Sequence, residues 1–130
     1  MDKPRFWVIA PAAGKGRRFL SDVAKQFVTL NGQSIAQHCL SKLLQVPAVE
    51  RVMVPCDITD KSWCDVKAIG DPRVDLTAGG EERAESVLKA LRIMSESLKA
   101  TDWVIVHDIV RPCIKVQSVL NLIEAVKDHP

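Results

Sequence analysis

No stretch of this chain approaches the roughly 20 consecutive apolar residues that a membrane-spanning helix needs. The apolar run near its start, FWVIA, is also too short for a secretory signal. An excess of one charge sign is missing as well: 18 basic residues against 16 acidic ones leave a net charge of +2. That balance argues against nucleic acid or an anionic membrane as a partner. The four cysteines, Cys39, Cys56, Cys64 and Cys113, form no CxxC pair, and no histidine stands at metal-ligand spacing from them. They read as reduced thiols of a cytoplasmic protein. Repeats, low-complexity tracts and linker-like boundaries are absent too, so residues 1–130 read as one domain.

What is present suits a packed core. The chain is 47% hydrophobic and 26% charged, and short apolar runs alternate with amphipathic stretches, the pattern of βαβ units around a buried parallel sheet. Strands are expected at Phe6–Ala10, Arg51–Val54 (ended by Pro55), Arg73–Leu76 and Trp103–His107. Helices are expected at Ser34–Gln45, with Ser34 as cap, at Thr59–Ile69, and from Glu81 to about Leu98 with Ala84, Val87, Leu88, Leu91 and Met94 on one stripe. Val119, Leu122, Ile123 and Val126 mark a last helix. The fold class is α/β: a Rossmann-like open parallel sheet with helices on both faces.

In such a sheet ligands bind at the carboxyl ends of the strands, where the strand order reverses. Two unusual loops lie at such ends, PAAGKGRRFLSDVAKQF after the first strand and HDIVRPC after the last. Residues 1–30 carry six basic side chains (Lys3, Arg5, Lys15, Arg17, Arg18, Lys25) against two acidic ones (Asp2, Asp22), so the positive charge is local. Gly14 and Gly16 let backbone N–H groups approach phosphate oxygens, while Arg17, Arg18 and Lys25 supply charge. A plain turn with solvated arginines is the alternative. A dinucleotide fingerprint lacks its third glycine, since Phe19 stands there, which argues against an oxidoreductase, and Walker A spacing is absent. Asp108 ends an apolar strand and needs a cation or several donors; magnesium carried by a nucleotide would serve, as would a turn or a pairing with Arg111. His107 reads as a packed, hydrogen-bonded residue, and Trp7, Trp63 and Trp103 as core. Gly79-Gly80-Glu81-Glu82-Arg83 opens a helix whose amino end suits a base or ribose better than another phosphate.

Three motifs in order, PAAGKGRR…KQF, GGEERAESV and HDIVRP, closely resemble the 2-C-methyl-D-erythritol 4-phosphate cytidylyltransferase family of the non-mevalonate isoprenoid pathway. Val110 before Arg111-Pro112 is shared with the related ribitol-5-phosphate cytidylyltransferases; PAAG and ERAESV favour the first family. The resemblance implies transfer of a cytidylyl group from CTP to a sugar-alcohol phosphate, with magnesium and without a covalent enzyme intermediate. It places Arg18 and Lys25 on the phosphates, Lys25 meeting charge that grows in the transition state. Pro11, Ala12, Ala13, Gly14 and Gly16 form the nucleotide-gripping backbone; Gly80, Glu81 and Ser86 face cytosine and ribose; Asp108 stands near the metal with Arg111 in support.

Three residues depart from the family pattern. Ala24 replaces a proline, which loosens Lys25 by roughly 0.4–1 kcal/mol of preorganisation, and Ile109 and Val110 replace two alanines, adding bulk beside the nucleotide. Family members are also considerably longer. Their later half supplies further phosphate and metal contacts, the acceptor site and the arm of a homodimer. The chain is therefore expected to be a fragment or truncated form, inactive in isolation, with a non-catalytic nucleotide-binding module as the alternative. Substituting Gly16→Val in a full-length protein is expected to abolish CTP binding, because a branched side chain fills phosphate space. Nucleotide titration checks this, and unchanged affinity would reduce the loop to a turn.

Overall fold

The computed structural model describes residues 4–12 and 24–127. In chain order the elements are β1 (Phe6–Ile9), β2 (Thr29–Leu30), β3 (Gln33–Ser34), α1 (Ile35–Leu44), β4 (Val49–Cys56), β5 (Val74–Ala78), α2 (Arg83–Met94), β6 (Trp103–Val106) and α3 (Val116–Val126). Four strands form a parallel sheet in the order β5-β4-β1-β6. The chain runs outward from β1 to β4 and β5, then returns through α2 to β6 on the other side of β1, so the order reverses beside β1.

Every residue of β1 is buried, because both faces of a doubly wound sheet are covered. Phe6 and Val8 join Cys39, Leu40 and Leu43 of α1 and Val119 and Ile123 of α3 in the larger core. Trp7 and Ile9 point the other way and meet Met53, Ala90 and Met94 in a smaller core under α2. Helices thus cover both faces, as the alternation of apolar runs implies. Trp7 and Trp63 are buried, and Trp103 packs against the larger core. Cys39 and Cys56 are buried free thiols, each pushed up to about 12 by burial; Cys64 and Cys113 are free and exposed.

Local differences from the sequence reading have physical causes. Residues 59–69 do not form one α-helix. They form two tight 3-10 turns, Lys61–Asp65 and Lys67–Gly70, the first started by Asp60, whose carboxylate accepts the Ser62 N–H. β4, expected to end before Pro55, runs through Pro55 to Cys56; Pro55 lacks an N–H, but its carbonyl accepts the Ala12 N–H at 2.9 Å. A small hairpin of β2 and β3 precedes α1, turning at Asn31 and Gly32, both at positive φ, the Asn-Gly signature of such turns. On α2 the buried residues are Ser86, Ala90 and Met94, whereas Leu88 is exposed, so the helix is rotated from the expected stripe. Ser34 caps α1 as expected, accepting the Gln37 N–H at 3.1 Å.

One ion pair closes the amino ends of β1 and β6. The Asp102 side chain is 1% exposed. It accepts from the Arg5 guanidinium at 2.8 Å, from Trp7 Nε1 at 3.3 Å, and from the N–H groups of Lys99 and Arg5 at 2.9 and 3.2 Å. Burial on its own would raise this carboxyl's pKa, but the Arg5 hydrogen bonds and the two backbone N–H groups outweigh it and hold the pKa below the usual carboxylate value. The stabilisation is therefore present above the unfolded-state pKa of about 3.9 and is lost as pH falls through the lower folded-state value. Asp102→Asn is expected to cost about 1–3 kcal/mol at pH 7, and the difference from the parent should shrink below about pH 4. Urea unfolding at pH 7 and pH 3 checks it; an equal deficit at both would contradict the charge-based account.

Candidate functional site at the carboxyl ends of β1 and β6

Past Ile9 the chain leaves the strand but not the sheet. The Ala10 N–H donates to the Met53 carbonyl at 2.8 Å, and the Ala12 N–H to Pro55. On the other side the N–H of His107 donates to Ile9 at 2.9 Å, and that of Ile109 to the Pro11 carbonyl at 3.1 Å. Pro11 and Ala12, the root of the basic loop, are thereby held between the ends of β4 and β6. At the far end of that loop, Lys25 begins a 3-10 turn, Lys25–Phe27. The Gln26 side chain of this turn donates to the Ala12 carbonyl at 3.3 Å, and Phe27 packs edge-on against Trp63 with ring centroids 4.9 Å apart. The loop's two ends are therefore tied together, and Lys25 is exposed beside Gln26. Ala24 has φ −62°, the value proline imposes, so its departure from the family proline costs preorganisation rather than geometry. Ala13, Gly14, Gly16 and Arg18 lie outside the described residues.

The loop after β6 is supported from α1. Lys42 Nζ donates to the Pro112 carbonyl at 2.8 Å, and the Cys39 thiol lies 3.9 Å from the Asp108 carbonyl. Ile109 is fully buried in the larger core, so its bulk fills space under the loop rather than beside a nucleotide. Of the two alanine replacements only Val110, 38% exposed, adds surface there. His107 Nε2 pairs with the Arg111 carbonyl at 3.2 Å, so it is hydrogen-bonded as expected, although half-buried rather than packed in the core. The Asp108 carboxylate faces two guanidiniums: Arg83 Nε donates to its Oδ1 at 2.7 Å, and Arg111 Nε lies 3.6 Å from its Oδ2. The pairing with Arg111 weighed from sequence is present, and Arg83 adds a partner from the second motif.

That motif forms the third wall. The Gly79 N–H continues the sheet to the Cys56 carbonyl at 2.9 Å, and Lys89 Nζ donates to the Gly79 carbonyl at 3.3 Å. The Gly80 N–H donates to the Ser86 hydroxyl at 2.9 Å. Ser86 is completely buried, which explains the rotation of α2: the face turned inward carries the hydroxyl that holds the turn. A Cβ on Gly80 would come within 2.7 Å of Glu85 Cβ, so glycine is required for close packing. Glu81 and Glu82 are exposed, and Glu82 caps α2 without a side-chain hydrogen bond.

Among the described residues no group of three His, Cys, Asp or Glu side chains stands together. The part-exposed Asp108 carboxylate suits magnesium that arrives on nucleotide phosphates, because this ion keeps most of its ligands as phosphate and water. The described residues contain no helix long and apolar enough to cross a membrane. An open depression of about 460 Å³ lies elsewhere, lined by Phe27, Thr29, Ser34, Gln37, Asp65 and Lys67 among others, and contains none of the candidate residues.

A sheet that reverses its order beside β1, with a basic loop, an aspartate loop and a glycine turn around the carboxyl ends, defines a doubly wound α/β domain of the nucleotide-binding type. Within that class the chain belongs to the 2-C-methyl-D-erythritol 4-phosphate cytidylyltransferase family, whose model matches residues 6–130. It is 40% identical to the enzyme of that name from Vibrio vulnificus over 121 residues, covering 93% of this chain and 51% of the relative. The crystal structure of the Francisella tularensis enzyme superimposes with a TM-score of 0.76 at 34% identity, over 95% of this chain and 52% of that one. A 4-diphosphocytidyl-2C-methyl-D-erythritol synthase superimposes at 0.80 with 25% identity, over 98% and 56%. The chain spans about half the length of the curated relatives it matches.

Ser86→Ala is expected to strand the Gly80 N–H and cost about 1–3 kcal/mol, with faster hydrogen exchange at the Gly80 amide. Exchange measured by NMR checks it, and an unchanged rate would mean the hydroxyl is not the partner that holds the turn.

Proposed function

We propose that this chain is the nucleotide-gripping part of an enzyme that transfers CMP from CTP to 2-C-methyl-D-erythritol 4-phosphate. The observation that carries the reading is the meeting of three family motifs at one crevice: Pro11–Ala12, Gly80 with Ser86, and Asp108. In the reaction a phosphate oxygen of the acceptor forms a bond to the α-phosphorus of CTP, and the bond from that phosphorus to the bridging oxygen breaks. Pyrophosphate leaves with those electrons.

No residue of the chain needs to become covalently attached, so its work is alignment and charge stabilisation. The backbone from Ala12 through Gly16 lends N–H groups to the triphosphate, and Arg18 and Lys25 supply cations. Gly80, Glu81 and Ser86 form the side toward cytosine and ribose; Ser86 acts by shaping the Gly80 turn. Magnesium, when bound with the nucleotide beside Asp108, neutralises phosphate charge, and Arg111 steadies that carboxylate. The protein works in the cytoplasm, and its full-length form is a homodimer whose remaining half completes the acceptor site.

The direct test supplies the full-length protein with CTP, magnesium and either methylerythritol phosphate or ribitol phosphate. Pyrophosphate release with the first acceptor supports the reading, release with ribitol phosphate alone reassigns the acceptor, and release with neither overturns it. Within that assay Lys25→Ala is expected to lower turnover about a hundredfold to a thousandfold, as loss of one preorganised charged donor does. CTP affinity should change far less, because only charge that grows in the transition state speeds the chemistry. An intact turnover number with a raised KM would make Lys25 a plain phosphate anchor.

A further inference from the structure

Arg83 is the first residue of α2, a position where the helix dipole disfavours a positive charge. Helix stability therefore does not account for it. Its guanidinium instead reaches Asp108, 25 residues on, and donates to Oδ1 at 2.7 Å. The Arg83 side chain is 58% exposed and that of Asp108 26%, so the pair is open to an incoming ligand. Arg111 stands further off, 3.6 Å from Oδ2, which leaves Arg83 as the closer of the two cations.

We infer that Arg83 is a positioning residue that holds the place of a divalent cation: it neutralises Asp108 until metal and nucleotide arrive, and then gives the carboxylate up. The inference rests on the nucleotide site proposed above. A lone carboxylate beside the triphosphate repels it, whereas a carboxylate paired with guanidinium does not. Magnesium competes for the oxygen that Arg83 occupies, since it takes one or two carboxylates together with phosphate oxygens. Arg83 thus matters most when CTP comes without metal, because only then must Asp108 be neutralised by protein alone.

Calorimetric titration of the full-length protein with CTP, once in magnesium and once in a chelator, reads this out without any turnover. For R83A the metal-free affinity is expected to fall about tenfold and the magnesium affinity less than about threefold, widening the preference for the metal complex. R83K, which keeps the charge, should stay close to the parent. In R83A/D108N, with the carboxylate charge gone, the widened preference should disappear. Equal losses with and without metal in R83A, or R83K behaving as R83A does, would overturn the placeholder role while leaving the nucleotide site standing. A parent protein that binds CTP under neither condition would overturn the nucleotide site, and the role of Arg83 with it.

Discussion

The site depends on a short piece of backbone pairing that outlasts its strand. Pro11 gives its carbonyl to Ile109 and Ala12 gives its N–H to Pro55, so the first two residues of the basic loop are still part of the sheet. A loop rooted in this way has a fixed starting direction, and the Gln26 bond back to the Ala12 carbonyl fixes its return. Buried backbone groups left unpaired are costly, so these bonds are obligatory once the strand ends are buried. The same bonds bring the Asp108 loop alongside, because Ile109, whose N–H reaches Pro11, is itself locked in the core.

Two contrasting ion-pair clusters occupy opposite ends of the sheet. At the amino ends the Arg5–Asp102 pair is dense with hydrogen bonds, and its carboxylate is sealed from solvent. At the carboxyl ends the Asp108 ion pairs are partly open, where screening leaves them weak enough to rearrange. An ion pair meant to exchange partners must be exposed, and one meant to hold two strands together gains from burial among several donors. Both arrangements use the same residue types; their surroundings separate them.

The sequence shows some of this architecture directly and hides the rest for physical reasons. FWVIA is legible as a strand because a doubly covered sheet makes it continuously apolar, WVIVH because its apolar run persists although the strand lies half-buried at the sheet edge, and α1 because Ser34 caps a regular apolar stripe. Residues 59–69 mislead because Asp57 and Asp60 fold the backbone into turns through their own side chains, a competition that periodicity does not register. The rotation of α2 is hidden because a hydroxyl, Ser86, takes a buried position that an apolar residue would be expected to fill. The β2–β3 hairpin has strands of two residues, too short for a pattern, although Asn31-Gly32 marks its turn. Pro11, Ala12, Gly80, Ser86, Asp108 and Arg111 are marked by motif, Asp108 also by its place at a strand end, and the structure links Pro11 to Ile109 and Arg83 of the glycine motif to Asp108. Arg83 lies inside the second motif but receives no role from it, and Lys42 lies in no motif, because what matters about each is a partner far along the chain, 25 and 70 residues away.

The central claim is that nucleotide binds at the carboxyl ends of β1 and β6 and not in the depression beside the hairpin. Amide NMR of the full-length protein during titration with CTP and magnesium tests it most directly. The account predicts that the shifts concentrate at Ala12, Lys25, Gly80 and Ile109 and leave Thr29, Gln33 and Lys67 in place. Shifts confined to the hairpin and the Lys61–Gly70 turns would contradict it.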